Sequence, residues 1–245
     1  MKRLDIFLVE NRLCKTRSKA NNLIKEGNVK VDGTVITKAG FFVNGNEKIE
    51  INDICPFVSR AGLKLFGALK DFNVDLKDKI VLDIGSSTGG FTDCALKSGA
   101  KKVYSVDVGT SQLDSNLKQD KRVVVMENTD IRTLDKNKVA DVDFVVCDVS
   151  FISLTKISFK IGELMNTGNF AIILIKPQFE CGKTEAKKHK GIIKDEKLYK
   201  IIIEQIKNDF LNYGIKILDV KKSCIQGGDG NTEFVALCEK EFTKG

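Results

Sequence analysis

Two hydrophobic rhythms divide this chain, and the change falls near Pro56. Before it, residues 3–11 and 17–26 carry apolar positions at helical spacing, as with Ala20, Leu23 and Ile24. Thr16 or the Arg17-Ser18 pair starts the second helix and Gly27 stops it. Residues 28–33, Asn-Val-Lys-Val-Asp-Gly, then alternate as a strand entering a tight turn. From Ile80 onward, near-continuous apolar runs alternate with amphipathic stretches. Strands are predicted at 80–84, 102–107, 123–127, 142–147, 170–176, 215–221 and 233–239, and helices at 90–98, 111–118, 154–165 and 195–212. Such alternation specifies an α/β fold with a mostly parallel, seven-stranded sheet covered on both faces. No helix fits between the last two strands, so they should pair antiparallel. The expected domains are 1–55, a small α/β unit, and 63–245, joined by a linker at 56–62. No internal repeat or low-complexity tract interrupts them.

Composition sharpens this picture in three ways. At 245 residues and 42% apolar content, the chain can fill one good-sized core and a small one. The formal charge of +7 and pI near 8.9 favour a polyanionic partner. That excess is concentrated at the start, where residues 1–30 hold eight Lys/Arg against Asp5, Glu10 and Glu26. Arg3, Arg17, Lys19, Lys25, Lys30 and, beyond them, Arg60 are the candidate phosphate contacts; a merely solvated charged face fits the composition as well. Seven scattered cysteines with no C-x-x-C pair read as reduced thiols, not as a zinc site or disulfide frame. The chain opens on charged, amphipathic sequence rather than a signal peptide, and its apolar runs fall far short of the roughly 20 residues of a bilayer span. A cytoplasmic, metal-free protein is expected, with a monomer as the default state.

Candidate chemistry begins at Asp83-Ile-Gly-Ser-Ser-Thr-Gly-Gly-Phe91, which follows the run Ile80-Val81-Leu82. A buried strand opening through a glycine turn into a helix presents backbone N–H groups to a bound cofactor. Gly85, Ser86, Ser87, Gly89, Gly90 and Phe91 form that turn, and Ser87 stands where a dinucleotide fingerprint has its middle glycine. Asp107 ends the next strand and can accept from both ribose hydroxyls; Asp130, after the third, is placed near an adenine. A ribose without a pyrophosphate favours S-adenosylmethionine (SAM) over NAD, the bland alternative being that these acids only form turns. Gly182-Lys183-Thr184 resembles the end of a P-loop, but Pro177 occupies the position of the required glycine.

Four further ionisable residues, Lys64, Asp148, Lys176 and Glu233, fall beside or at the ends of strand-like runs, the edge where open α/β sheets bind ligands. Together with the cofactor turn they suggest an enzyme that binds a nucleoside cofactor and manipulates a proton, and a lysine can serve as the base if burial or a second cation depresses its pKa. Lys64 can supply that second charge while Asp148 and Glu233 orient the ammonium groups. Salt bridges at strand ends are the competing reading.

Several motifs together carry a family resemblance. Val58-Ser-Arg-Ala-Gly-Leu-Lys-Leu65, Cys147-Asp-Val-Ser-Phe151 and Ile175-Lys-Pro-Gln-Phe-Glu180 are similar to segments of the TlyA family, whose members carry the names haemolysin and ribosomal RNA (cytidine-2′-O)-methyltransferase. Residues 3–33 resemble the S-four RNA-binding module of a small-subunit ribosomal protein, pseudouridine synthases and tyrosyl-tRNA synthetases. The resemblance implies a Rossmann-like SAM-dependent methyltransferase of FtsJ type behind a small RNA-binding domain. Its Lys-Asp-Lys-Glu tetrad maps onto Lys64, Asp148, Lys176 and Glu233, with Asp148 also beside the cofactor. It implies a cytidine of 23S rRNA as substrate, with 16S rRNA as the second candidate and ribosomal subunits as partners. The short ends point to the large-subunit branch.

Other residues are read more plainly. His189, the only histidine, sits in a basic loop, 183–194, and is expected to be solvated; that loop fits RNA phosphates or an exposed charge run equally. Phe151 and Phe179 flank the site and suit either stacking on a flipped base or the core. A membrane-active toxin should show long amphipathic or alternating membrane segments, and none is seen. A non-catalytic RNA-binding module would have lost the lysines, and both are present.

Overall fold

The computed structural model describes residues 1–14, 16–25, 27–51 and 55–241. Lys15 and Glu26, which contribute to the expected N-terminal charge, the Lys183 side chain, and the last residues of the expected second domain lie outside them. The chain divides into two compact units, Met1–Pro56 and Phe57–Gly245.

In the first unit, β1 (Lys2–Arg3) leads into α1 (Leu4–Glu10) and α2 (Arg17–Lys25), followed by β2 (Val29–Val31), β3 (Thr34–Val35), β4 (Phe42–Val43) and β5 (Ile49–Ile51). The strands form a β1–β4 pair and a small antiparallel sheet ordered β3-β2-β5. Between β2 and β3, Asp32 (φ 48°) and Gly33 (φ 79°) both take positive φ, the two-residue turn whose twist matches a hairpin. Leu4, Leu8, Ala20, Leu23, Ile24, Val29, Val31 and Val43 close the core.

The second unit runs α3 (Ala61–Asp71), β6 (Ile80–Ile84), α4 (Gly90–Lys97), β7 (Lys102–Val106), α5 (Ser115–Gln119), β8 (Val123–Met126), β9 (Phe144–Cys147), α6 (Ser158–Leu164), β10 (Phe170–Ile175), α7 (Pro177–Glu180), α8 (Gly182–Lys188), α9 (Glu196–Leu211), β11 (Ile215–Lys222) and β12 (Phe234–Lys240). Its sheet is ordered β11-β12-β10-β9-β6-β7-β8, with β12 antiparallel to both neighbours and the other described pairings parallel. The expected seven-stranded sheet with an antiparallel end is therefore present. Phe144–Cys147 and Ala171–Ile175 are buried throughout, as strands covered on both faces must be. Each such fully buried Val, Ile or Leu contributes about 1.5–3 kcal/mol relative to exposure. From β6 the chain builds β7 and β8 on one side and then crosses to β9 on the other. Such a reversal opens a crevice beyond the strand ends, here those of β6 and β9.

The sequence-based boundaries need correction in places. The helix expected at 111–118 begins only at Ser115, because the Glu127 carboxylate takes the N–H groups of Gln112 and Leu113 and Asp114 caps Asn116. The helix expected at 154–165 is split: Ser153 caps a 3-10 turn, Leu154–Lys156, before α6 starts. The supposed basic loop contains α8, and α3 and α7 are helices that the hydrophobic pattern does not announce.

Candidate active site

The turn after β6 is shaped by close approach between strand ends. Gly85 has φ +83°, and a Cβ there would lie 2.8 Å from the Asp148 carbonyl oxygen at the end of β9. Its N–H and that of Ser86 both donate to the Val106 carbonyl, at 2.8 and 3.1 Å. Ser87 follows at φ 48° and donates its N–H to Asp107 Oδ2 at 2.8 Å. Gly89, at φ +96°, starts α4 where a Cβ would overlap the Leu117 side chain.

Two cavities meet at this turn. The larger, ≈ 550 Å³, runs past Asp107, Val108, Gln112, Asp130, Ile131 and Phe151. The smaller, ≈ 160 Å³, is lined by Ser59, Ala61, Ser86, Thr88, Phe91 and Lys176. Gly85, Ser87, Asp148 and Ser150 border both. Asp107 is held rigidly, its Oδ1 accepting from Gly109 N–H at 2.7 Å and its Oδ2 from Ser87, and each oxygen keeps a second acceptor position. Glu127 anchors the adjoining wall through Gln112, Leu113 and the Lys118 ammonium, which together hold its carboxyl down at about 2. Asp130 lines the larger cavity, but its carboxylate is gripped by the Arg132 guanidinium at 2.6–3.1 Å.

The four tetrad candidates form two buried ion pairs. Lys64, on α3, donates to Glu233 Oε2 at 2.6 Å across 169 positions of sequence. Lys176 Nζ lies 2.6 Å from Asp148 Oδ1 and donates to Ser150 Oγ at 2.7 Å. Register explains their assembly: Ile175 of β10 faces Phe234 of β12, so Lys176 and Glu233 are the next positions at that sheet edge, and Asp148 follows Cys147 of the adjoining β9. Lys176 and Asp148 reach a cavity; Lys64 and Glu233 line neither.

Sequence reasoning missed a residue that fixes this geometry. Glu180 accepts from Ser153 Oγ at 2.6 Å and from Leu154 N–H at 2.9 Å, tying the segment after β10 to the segment after β9. Burial raises its carboxyl pKa against those two hydrogen bonds. The same two segments meet again where the Phe151 and Phe179 rings pack at 5.0 Å, tilted by 49°. Phe151 is not core: it is 90% exposed and held at φ 65°, a conformation costly for an aromatic residue. Ser150 and Glu180 both stand inside motifs already singled out, but nothing in residue type announces their partners. Val108, Gln112, Ile131 and Arg132 were missed too; their signal was position, just beyond the acids that end strands.

Asp83 and Gly90 line neither cavity. Asp83 lies beneath the turn, fully buried, accepting from Thr92 Oγ1 at 2.6 Å while its Oδ1 has no partner. Burial pushes its carboxyl up to about 7, the Thr92 hydroxyl opposes this, and the Asp148 and Asp107 carboxylates add to it. His189 is half-buried, 3.3 Å from Glu185, and borders neither cavity. Of the RNA candidates, Arg3 and Arg17 both engage Asp5. Lys25 is exposed at the end of α2, Lys19 and Lys30 are half-buried, and Arg60 precedes α3 in the second unit. Among the described residues no group of three or more His, Cys, Asp or Glu is placed to hold a metal, and no helix is long and apolar enough to cross a membrane.

Residues 57–240 match the model of the FtsJ-like methyltransferases. The chain belongs to that family. Residues 2–49 match the S4 domain. The FtsJ-like chain is 44% identical to YqxC of Bacillus subtilis (strain 168), named as a candidate rRNA methyltransferase, over 95% of its own length and 84% of the relative's. It is 35% identical to the 23S rRNA (cytidine-2′-O)-methyltransferase TlyA of Campylobacter jejuni, with 93% and 96% covered. A solved structure from Streptococcus thermophilus, named as a candidate hemolysin, superposes with a TM-score of 0.79 at 36% identity, covering 99% of this chain and 89% of that one. The FtsJ-like fold and family imply use of SAM.

The buried carboxyls of this region make two outcomes measurable. Replacing Glu180 with Ala leaves a buried N–H and hydroxyl without their acceptor, which should lower the urea unfolding free energy by about 1–3 kcal/mol. The Asp83 carboxyl, raised above its unfolded value of 3.8 to about 7, contributes stability that is complete below the unfolded value and lost as pH climbs through about 7. The melting temperature of Asp83→Asn relative to the parent should therefore rise between about pH 5 and about pH 8. A difference that stays flat across that range would show that Asp83 does not titrate there.

Proposed function

We propose that this FtsJ-like enzyme transfers a methyl group from SAM to the 2′-hydroxyl of a cytidine in large-subunit ribosomal RNA. The observation that carries the reading is the Lys176–Asp148 pair, set in the wall where the two cavities meet. Support for the substrate comes from the family match and from the Campylobacter jejuni relative, whose name states that reaction. The hemolysin name stays with the Streptococcus protein.

The residues present suit SAM. Asp107 keeps one acceptor position on each oxygen for the two ribose hydroxyls, and Gly85 and Ser87 border both cavities beside it. With the Asp130 carboxylate already engaged by Arg132, its remaining acceptor positions and the neighbouring Ile131 are what that end of the cavity offers an adenine. Asp83, beneath the turn, supports it through Thr92 and α4.

Bound SAM supplies an electrophilic methyl group on a sulfonium centre. The chain then has to hold the ribose oxygen in line with that methyl and manage the proton that leaves it. Lys176 is suited to both. Asp148 and Ser150 fix its ammonium, and a lysine carries three N–H donors, which leaves one to orient the hydroxyl. Asp148, touching both cavities, can accept the displaced proton through Lys176. Lys64 and Glu233 form a neighbouring buried pair that holds the strand ends and sets the local field. Most of the acceleration then comes from positioning two reactants rather than from a potent base. Phe151, exposed beside Ser150, suits stacking on the unpaired base whose ribose enters the site. The N-terminal unit docks RNA through phosphate contacts in this scheme, and the enzyme works on ribosomal subunits in the cytoplasm.

Purified ribosomal subunits with tritiated SAM test the reaction, followed by nucleoside analysis. Label on a cytidine ribose of 23S rRNA is expected; label on a base sinks the proposal, and label on 16S rRNA extends it. Lys176→Ala and Asp148→Ala should abolish turnover while leaving SAM affinity intact. Lys176→Arg keeps the charge but, with a pKa above about 12, cannot relay a proton, so near-normal turnover would reduce Lys176 to an orienting role. For the cofactor site, calorimetry should show Asp107→Ala binding SAM at least about tenfold more weakly, since two charge-assisted hydrogen bonds are lost. Unchanged affinity would remove Asp107 from the ribose site.

A further inference from the structure

In the first unit, a wholly buried acid holds two exposed cations. Asp5 is 0% exposed, whereas the side chains of Arg3 and Arg17 are 43% and 56% exposed. Arg3 donates Nε to Asp5 Oδ1 at 3.0 Å and Nη2 to Oδ2 at 3.1 Å. Arg17 donates Nε to the same Oδ2 at 2.9 Å. A guanidinium has five N–H donors. Asp5 takes two of those on Arg3 and one of those on Arg17, and both side chains are about half exposed. Both Nε atoms bond the same carboxylate, so the two guanidinium groups converge on Asp5.

A plain brace between α1 and α2 explains this arrangement poorly. A brace works best with both partners covered, and an apolar pair would do it without burying a charge. Here only the acid is covered, and it is the element that costs free energy to bury. What the arrangement accomplishes is to fix two long, otherwise mobile side chains in one orientation. A planar, bidentate donor array held in advance matches phosphate oxygens and spares the ordering cost at binding.

We propose that Arg3 and Arg17 form a preset clamp for neighbouring phosphates of an RNA backbone, with Asp5 as its positioning residue. This rests on the reading that the N-terminal unit docks RNA, and adds that arrangement rather than net charge governs its affinity. The consequence runs against simple electrostatics. Asp5→Asn makes the unit more positive by one charge, so charge alone predicts tighter RNA binding with a steeper salt dependence. A clamp predicts the reverse.

The test uses the full chain and purified bacterial large ribosomal subunits, with filter binding between about 50 and about 200 mM salt. Asp5→Asn should bind about tenfold more weakly, with the log–log salt slope reduced by about 1 to 2 as phosphate contacts are lost. The double variant Arg3→Lys/Arg17→Lys keeps the charge and should weaken in the same direction, because ammonium groups lack the fork. Equal or tighter binding by Asp5→Asn, with melting confirming a folded protein, overturns the clamp. Parent-like binding by the lysine pair overturns it as well, and decides the matter alone if Asp5→Asn does not fold. Arg3→Glu/Arg17→Glu separates the two claims. If that charge reversal leaves affinity unchanged, the RNA-docking reading of this unit fails; if it weakens binding while the lysine pair is normal, only the clamp fails.

Discussion

The second unit is organised around an ion pair that would be expensive anywhere else. Lys176 and Asp148 are both about nine-tenths buried and 2.6 Å apart. Two charges withdrawn from water gain back their desolvation cost only when geometry is tight and the remaining donors and acceptors are engaged. Several features serve the geometry, although the Asp148 Oδ1 atom of the pair accepts no hydrogen bond among the described residues. Parallel β9 and β10 fix where the two residues leave the sheet, and Ser150 takes a second Lys176 donor. Glu180 clamps the segments that follow the two strands. Gly85 lets the turn after β6 press against the Asp148 backbone, which brings the cofactor side within reach of the same carboxylate. An apolar pair at these positions would pack with less penalty. The charges fit the proposed chemistry, in which a weakly acidic hydroxyl would meet an ammonium–carboxylate couple already in place.

Much of this was legible in sequence because it is encoded locally. Apolar runs bounded by turn residues mark the strands, and each of the seven fell where the pattern put it to within two residues at either end. The four ionisable residues were legible as candidates because each follows or precedes such a run, or opens a helix beside one. Their pairing was not. That Lys64 meets Glu233 depends on β12 inserting between β10 and β11, and that Lys176 meets Asp148 depends on β10 lying parallel beside β9, both decisions taken over the whole sheet. The misplaced helix start at 111–118 has the same origin. Helical spacing was genuine there, but a distant carboxylate, Glu127, captured the amides that would have begun it. Phe151 shows a further limit. An aromatic residue at a strand end reads equally as core or as surface, and only the backbone, held at positive φ, turns it outward.

Asp107, which ends a predicted strand, and Asp130, which follows the next one, looked alike in sequence, and the fold treats them differently. Asp107 is bonded by two backbone N–H groups, which orient its oxygens without neutralising them. Asp130 is bonded by a guanidinium two residues away, which both orients and neutralises it and draws its carboxyl pKa down. The distinction lies in the next residues: Val108 and Gly109 supply only backbone, whereas Arg132 supplies a fork. A rule that reads function from an acid at a strand end therefore needs the two positions that follow it.

The same contrast bears on how a basic protein uses its acids. Forty Lys and Arg against 33 Asp and Glu give the long-range attraction that brings a polyanion near, and that attraction is indifferent to arrangement. Placement comes from the minority charge. Asp148 sets Lys176, Glu233 sets Lys64, and Asp5 sets Arg3 and Arg17, in each case with the carboxylate more than about four-fifths buried. A lysine or arginine on a flexible stem loses rotamer entropy when it binds, and a buried carboxylate takes that loss at folding instead. Removing such an acid makes the chain more positive while releasing the cations it holds, so net charge and the placement of charge are separate variables here.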